Sequence, residues 1–131
     1  MELADLVATM PHAVALGITL TEADQDRVAG TVEWAPERCT IGGLLHGGVL
    51  MAFADSLGAV CAFLNLPPDA GTSTIESKTN LFRGVREGVV TGVSTPLHVG
   101  RTTIVVQTEV RNEAGKLVSL TIQTQAVLSP S

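Results

Sequence analysis

A chain of 131 residues has the length of one domain with one hydrophobic core, so residues 1–131 are read as a single fold. Hydrophobic residues make up 45% and charged residues 16%, too apolar for a disordered chain and rich enough at this size that part of the surplus is expected in a subunit interface. A net charge of -5 supplies no broad basic field, which argues against nucleic acid or an anionic membrane as a partner.

The first element is a short helix over residues 2–10. Leu3, Leu6, Val7 and Met10 follow i, i+3, i+4, i+7 spacing, and Pro11 closes it, so it is expected to pack as a flap. Residues 14–34 change to period two around an acidic turn at residues 22–26, which gives a strand pair. Residues 46–64 read as one long helix of Ala, Leu and Gly that ends at Asn65 and Pro67. It is apolar nearly all round and is therefore expected to be buried.

The remainder returns to strands over 72–82, 88–96, 102–111 and 117–128, the last two joined by a hairpin loop at residues 112–115. In 117–128, Val118, Leu120, Ile122, Ala126 and Leu128 alternate with Ser119, Thr121, Gln123 and Gln125. One long apolar helix among about six antiparallel strands has one economical packing, an α+β fold with the sheet curled round the helix. The small residues Gly47, Gly48, Ala52, Ala54, Gly58, Ala59 and Ala62 would let strands approach its axis.

Between Arg38 and Asp69 the only charged residue is Asp55, in the middle of that helix. A carboxylate in apolar surroundings needs a partner or a raised pKa, and such placements mark groups that act. At the helix start stands His46-Gly47-Gly48, where free N–H groups can hold negative charge and glycine lets a substrate approach. His46 and Asp55 are nine residues apart, about 13.5 Å along a helix and on opposite faces, so a site that uses both takes them from two subunits. The chemistry such a pair supports is attack on an activated acyl group, best a thioester, with the carboxylate as base or nucleophile and the helix N-terminus holding the oxyanion.

Cys39 and Cys61 are too few for a disulfide framework, and the N-terminus lacks the basic stretch of a leader, so a reducing cytoplasm is the expected address. His12 and His98 offer no metal-ligand spacing with His46, and neither metal nor cofactor is expected. Trp34, Phe53, Phe63 and Phe82 are expected in the core or lining a pocket. Charge is uneven, with four acidic against six basic residues over 72–131, so a small polyanionic ligand could find cations there.

The blocks HGGVLMAFADSLGAV, STIESKTNLFRGVREG and PLHVGRTTIVVQTEVRNEAGKLVSLTIQTQAVL resemble the hotdog-fold acyl-CoA thioesterases of the phenylacetic-acid-degradation type, which are related to the aryl-CoA thioesterases. The resemblance spans roughly residues 35–128. It implies that Asp55 matches the family's acidic catalytic residue, that the Gly48 N–H polarises the thioester carbonyl, and that Gly47 and His46 shape that turn. It also implies sites between two subunits, with dimers often pairing into tetramers. Thr40 stands where members often carry Gln or Asn, and Ala59 where some carry Ser or Thr. The stretch His98, Gly100, Arg101 and Thr102 resembles the part that meets the CoA nucleotide, with Arg83 expected at the same mouth as a second phosphate contact. The activity implied is hydrolysis of a small aromatic or medium-chain acyl-CoA, with CoA entering only as part of the substrate. A non-catalytic acyl-CoA sensor and a hotdog dehydratase or hydratase are the alternatives.

Overall fold

The computed structural model describes residues 2–130. The N-terminal segment forms two short helices, α1 (Leu3–Ala8) and α2 (Pro11–Ala15). Pro11 thus opens a second helix as well as closing the first, because its missing N–H costs nothing at the first helical position. Strands β1 (Thr19–Ala23) and β2 (Val28–Glu33) follow, joined by a turn in which Asp24 Oδ1 accepts the backbone N–H groups of Asp26 and Arg27 at 2.8 and 2.9 Å. The long helix α3 (Gly47–Phe63) is flanked by His46 and Leu64 as its caps. The chain ends with β3 (Gly71–Leu81), β4 (Val89–Val99), β5 (Thr103–Arg111) and β6 (Leu117–Leu128).

All strand pairs are antiparallel and the order across the sheet is β1-β2-β4-β5-β6-β3, with α3 packed on one face. This is the sheet wrapped round a central helix that the sequence implied. β4 continues past Pro96, where the sequence reading ended it, because a bulge between Pro96 and His98 absorbs the residue that cannot donate to the ladder. Close approach of helix and sheet depends on glycine in the strands as well as in the helix. Gly30 and Gly92 face each other across β2 and β4, and a Cβ on Gly92 would stand 2.6 Å from Leu57 and 2.9 Å from Phe53, both fully buried on α3.

One expectation is corrected, and β6 shows a face that alternation leaves open. α3 is not buried all round: Leu50, Phe53, Leu57, Val60 and Cys61 face the core, while Gly48, Met51, Asp55 and Phe63 form an exposed stripe. In β6 the buried residues are mostly the polar ones. Ser119, Thr121, Gln123 and Gln125 are at most 1% exposed, whereas on the apolar set Val118 is buried but Ile122 is 40% exposed. Alternation reveals that a strand has two faces, and the polar one can turn inward here because neighbouring hydroxyls and amides bond most of the buried groups, Ser119 Oγ and Gln123 Oε1 excepted. One register row carries Ser94, Thr108, Thr121 and Thr79 across four strands, with hydroxyl pairs Ser94–Thr108 and Thr79–Thr121.

Candidate active site

The loop into α3 is held from two sides. Gly42 and Gly43 adopt φ of 80° and 74°, the left-handed region that favours glycine, and their carbonyls accept from Arg86 Nη1 and Trp34 Nε1, each at 2.9 Å. Trp34 and Arg86 therefore shape the approach to the helix, a role that their separation in sequence conceals. Thr40 sits in the same loop, exposed, with its N–H donating to the Leu44 carbonyl at 2.8 Å.

At the helix start, His46 is the N-cap and its Nδ1 accepts the Gly48 N–H at 2.8 Å. The Gly48 donor assigned to a thioester oxygen by resemblance is thus occupied by the cap. The Gly47 N–H has no acceptor among the described residues. Gly47, given only as a shaper of the turn, is the donor left pointing out of the first turn.

Asp55 lies two turns further along, on the exposed stripe and not in apolar surroundings. Its neighbours come from β3 and β6: Gln123 Nε2 donates to Asp55 Oδ1 at 3.1 Å, and the Thr74 hydroxyl reaches the same oxygen at 3.2 Å. The β3–β6 register shifts between Thr74 and Glu76, a bulge beside the carboxylate, where bulges commonly re-aim side chains. From Gly47 to Asp55 the helix rises about 12 Å, so in one chain the two groups cannot touch the same reacting atom.

The expected nucleotide contacts separate. His98, Gly100, Arg101 and Thr102 line one open cavity of about 640 Å³ with Asn65 and Pro67, past the C-terminal end of α3. Arg83 and Thr40 line another, of about 310 Å³, beside Gly47 and Leu81 at the N-terminal end. Arg83 also donates Nε to the Leu117 carbonyl at 3.1 Å. Within one chain Arg83 is therefore not at the mouth formed by His98 to Thr102. A third cavity, of about 290 Å³, lies between α1 and the second half of α3, lined by Leu6, Met10, Ala59, Val60, Phe63 and Thr72 among others.

Among the described residues no group of three or more His, Cys, Asp or Glu converges to hold a metal ion, and no helix is long and apolar enough to cross a membrane. Cys61 is fully buried, and burial, with the Asp24 charge adding to it, pushes its thiol up to about 11, so it is no nucleophile near neutral pH.

Comparison with known proteins identifies the family and the fold. The thioesterase-superfamily profile matches residues 42–119. A Vibrio cholerae protein, named provisionally as an esterase, is 36% identical over 112 residues, covering 86% of this chain and 75% of that one. The 1,4-dihydroxy-2-naphthoyl-CoA hydrolase of Escherichia coli is 38% identical over 86 residues, 66% of this chain and 63% of the enzyme. The crystal structure of a Haemophilus influenzae thioesterase superposes with a TM-score of 0.92 at 28% identity, covering 98% of this chain and 92% of that one. With its six-stranded antiparallel sheet around α3, the chain has the hotdog fold and belongs to the thioesterase superfamily of hydrolases.

Proposed function

We propose that this chain is an acyl-CoA thioesterase that works as a homodimer, with Asp55 of one copy and the Gly47 N–H of the other acting on one thioester. The observation that carries the reading is the arrangement on α3. The only charged side chain of residues 39–68 lies exposed on its middle, and a free N–H lies at its start, about 12 Å away. A two-fold copy running antiparallel brings one helix's start to the other's middle. β3 is the edge through which this happens, since it is exposed along nearly its whole length and presents an unpaired ladder of 11 residues. Pairing β3 with its copy about Ser77 sets Lys78 against Glu76 of the second copy, an opposite-charge cross-strand pair on each side. The same rotation carries the His98 to Thr102 end of one copy towards the Arg83 and Thr40 end of the other, so the two cavities can share one CoA. Such dimers can pair further into tetramers.

In the reaction the thioester carbonyl is polarised by the Gly47 N–H at the positive end of α3, and Asp55 either takes a proton from the attacking water or attacks the acyl carbon itself; either way the C–S bond breaks and CoA leaves as its thiol or thiolate, and in the second case water then hydrolyses the acyl-Asp55 anhydride to the free acid. The cavity one turn beyond Asp55 receives the acyl group. Its lining is apolar apart from two hydroxyls, Thr9 Oγ1, which donates to the Leu6 carbonyl at 2.6 Å, and Thr72 Oγ1, which accepts from Gln125 Nε2 at 3.1 Å. A medium-chain aliphatic or unsubstituted aryl group fits such a lining. The dihydroxylated ring in the name of the Escherichia coli relative would find only the Thr72 proton and the Thr9 oxygen as polar partners, few for two hydroxyls. The dehydratase alternative needs a free imidazole beside the acid, and His46 caps the far end of the helix instead.

The test is thiol release from octanoyl-, phenylacetyl- and dihydroxynaphthoyl-CoA by wild type and Asp55→Asn. Wild type should turn over the first two faster than the third, and Asp55→Asn should lose at least about 100-fold in kcat with KM little changed. Wild-type turnover by Asp55→Asn would remove the residue from the mechanism. Tight binding of the esters without thiol release would favour a sensor.

A further inference from the structure

Two buried amides on β6 remain without a role in the chemistry above. Gln123 is 0% and Gln125 1% exposed, on a strand face where apolar side chains would fill the space without needing partners. Gln123 bonds Asp55 directly, and Gln125 bonds Gln123 and two threonines of β3. Gln123 Nε2 donates both its hydrogens, one to Asp55 Oδ1 at 3.1 Å and one to Gln125 Oε1 at 2.9 Å. Gln125 Nε2 donates in turn to Thr72 Oγ1 at 3.1 Å.

The orientation of the Gln123 amide is fixed by this pattern, because reversing it would set Oε1 against two acceptor oxygens. The consequence is an orphan. Gln123 Oε1 is buried and unpartnered, lying against Gly58 of α3, where an added Cβ would collide with it. A side chain serving only the fold would not be held with its acceptor unsatisfied so that its donor can face a carboxylate. Thr74 cannot replace that donor. Its hydroxyl has one proton and two acceptors within reach, Asp55 Oδ1 at 3.2 Å and Gln125 Oε1 at 2.5 Å, and the nearer one is the amide.

We infer that Gln123 is a positioning residue for Asp55, anchored by Gln125: its N–H fixes Oδ1 and leaves Oδ2 free to face the reacting acyl group. The inference rests on the thioesterase reading for what Oδ2 meets, but not for the hydrogen bond itself. Removing the donor lets the carboxylate rotate away from its working orientation, which costs alignment with the acyl carbon rather than binding.

The experiment compares wild type, Asp55→Asn, Gln123→Met and Gln123→Glu. It measures kcat and KM on octanoyl-CoA, and follows the Gln123 side-chain amide by 1H–15N NMR in wild type and Asp55→Asn, which needs no turnover. Gln123→Met should lower kcat about 10-fold with KM within about twofold. Gln123→Glu keeps the size but loses the donor and should lower kcat at least as far, again with KM little changed. The Gln123 amide resonance should move in Asp55→Asn, where its donor no longer faces a carboxylate. Wild-type kcat in a folded Gln123 variant overturns the inference, as does an amide resonance that Asp55→Asn leaves unmoved, or failure of both Gln123 variants to fold, which would make the residue structural. Wild-type turnover in Asp55→Asn with a moved amide resonance would instead overturn the catalytic reading and leave the hydrogen bond standing.

Discussion

Gly58 shows how tightly single atoms are specified around the carboxylate. Alanine in a helix is ordinarily favoured over glycine by about 1 kcal/mol, but at this position its methyl would occupy the space of the Gln123 amide. Gly58→Ala should therefore lower stability by about 1 to 3 kcal/mol, the scale of overpacking, and lower turnover as well, measured by thermal unfolding and thiol release on the same preparation. Asp55 itself was legible from the sequence because it is the only charge between Arg38 and Asp69. Its partners were not. Thr74 and Gln123 lie 19 and 68 residues away, and each reads as an ordinary polar position of an alternating strand. That the Gly48 N–H is bonded to the histidine two residues earlier was not legible either, since a motif does not reveal which ring nitrogen points inward.

Among the elements, α3 and the last two strands were legible by composition and period, and their bounds shift by only a residue or two. β3 and β4 were weaker, since β3 is rich in Ser and Thr without a hydrophobic face of its own and β4 contains Pro96. The exposed length of β3 yields a test of the dimer. A residue on the two-fold axis meets its own copy, so Ser77→Glu places like charges together, which is destabilising directly across a strand pair. The variant should elute and scatter light as a monomer and lose turnover, while its far-UV spectrum remains that of wild type. A dimer that survives this change would require another face.

For the whole molecule, Cys61 makes stability depend on alkaline pH. Its thiol ionises near 9.0 in the unfolded chain and near 11 in the fold, chiefly because burial disfavours the thiolate. Between those values the unfolded chain binds fewer protons than the folded one, so stability falls as pH rises, by about 1.4 kcal/mol per unit, and this contribution is intact below about pH 9. Denaturation midpoints from about pH 8 to 11 should drop more steeply for wild type than for Cys61→Ala, which removes the titrating group. Equal slopes would exclude the thiol.

The inner surface of the sheet divides into two territories. Beneath β2 and β4, Val28, Val32 and Val90 meet Phe53 and Leu57, and the contact is apolar. Beneath β6 and β3 the contact is polar, with Thr72, Thr74, Gln123 and Gln125 bonded among themselves and to Asp55, and Thr79 paired with Thr121. Hydrogen bonds exchange readily with water whereas apolar burial does not, so the second territory is the softer. The molecule carries its ballast at one margin and its working parts at the other. Fraying would begin at the β3 margin and dismantle the carboxylate's surroundings while the rest of the barrel stood, so activity would fade on warming before the protein melts.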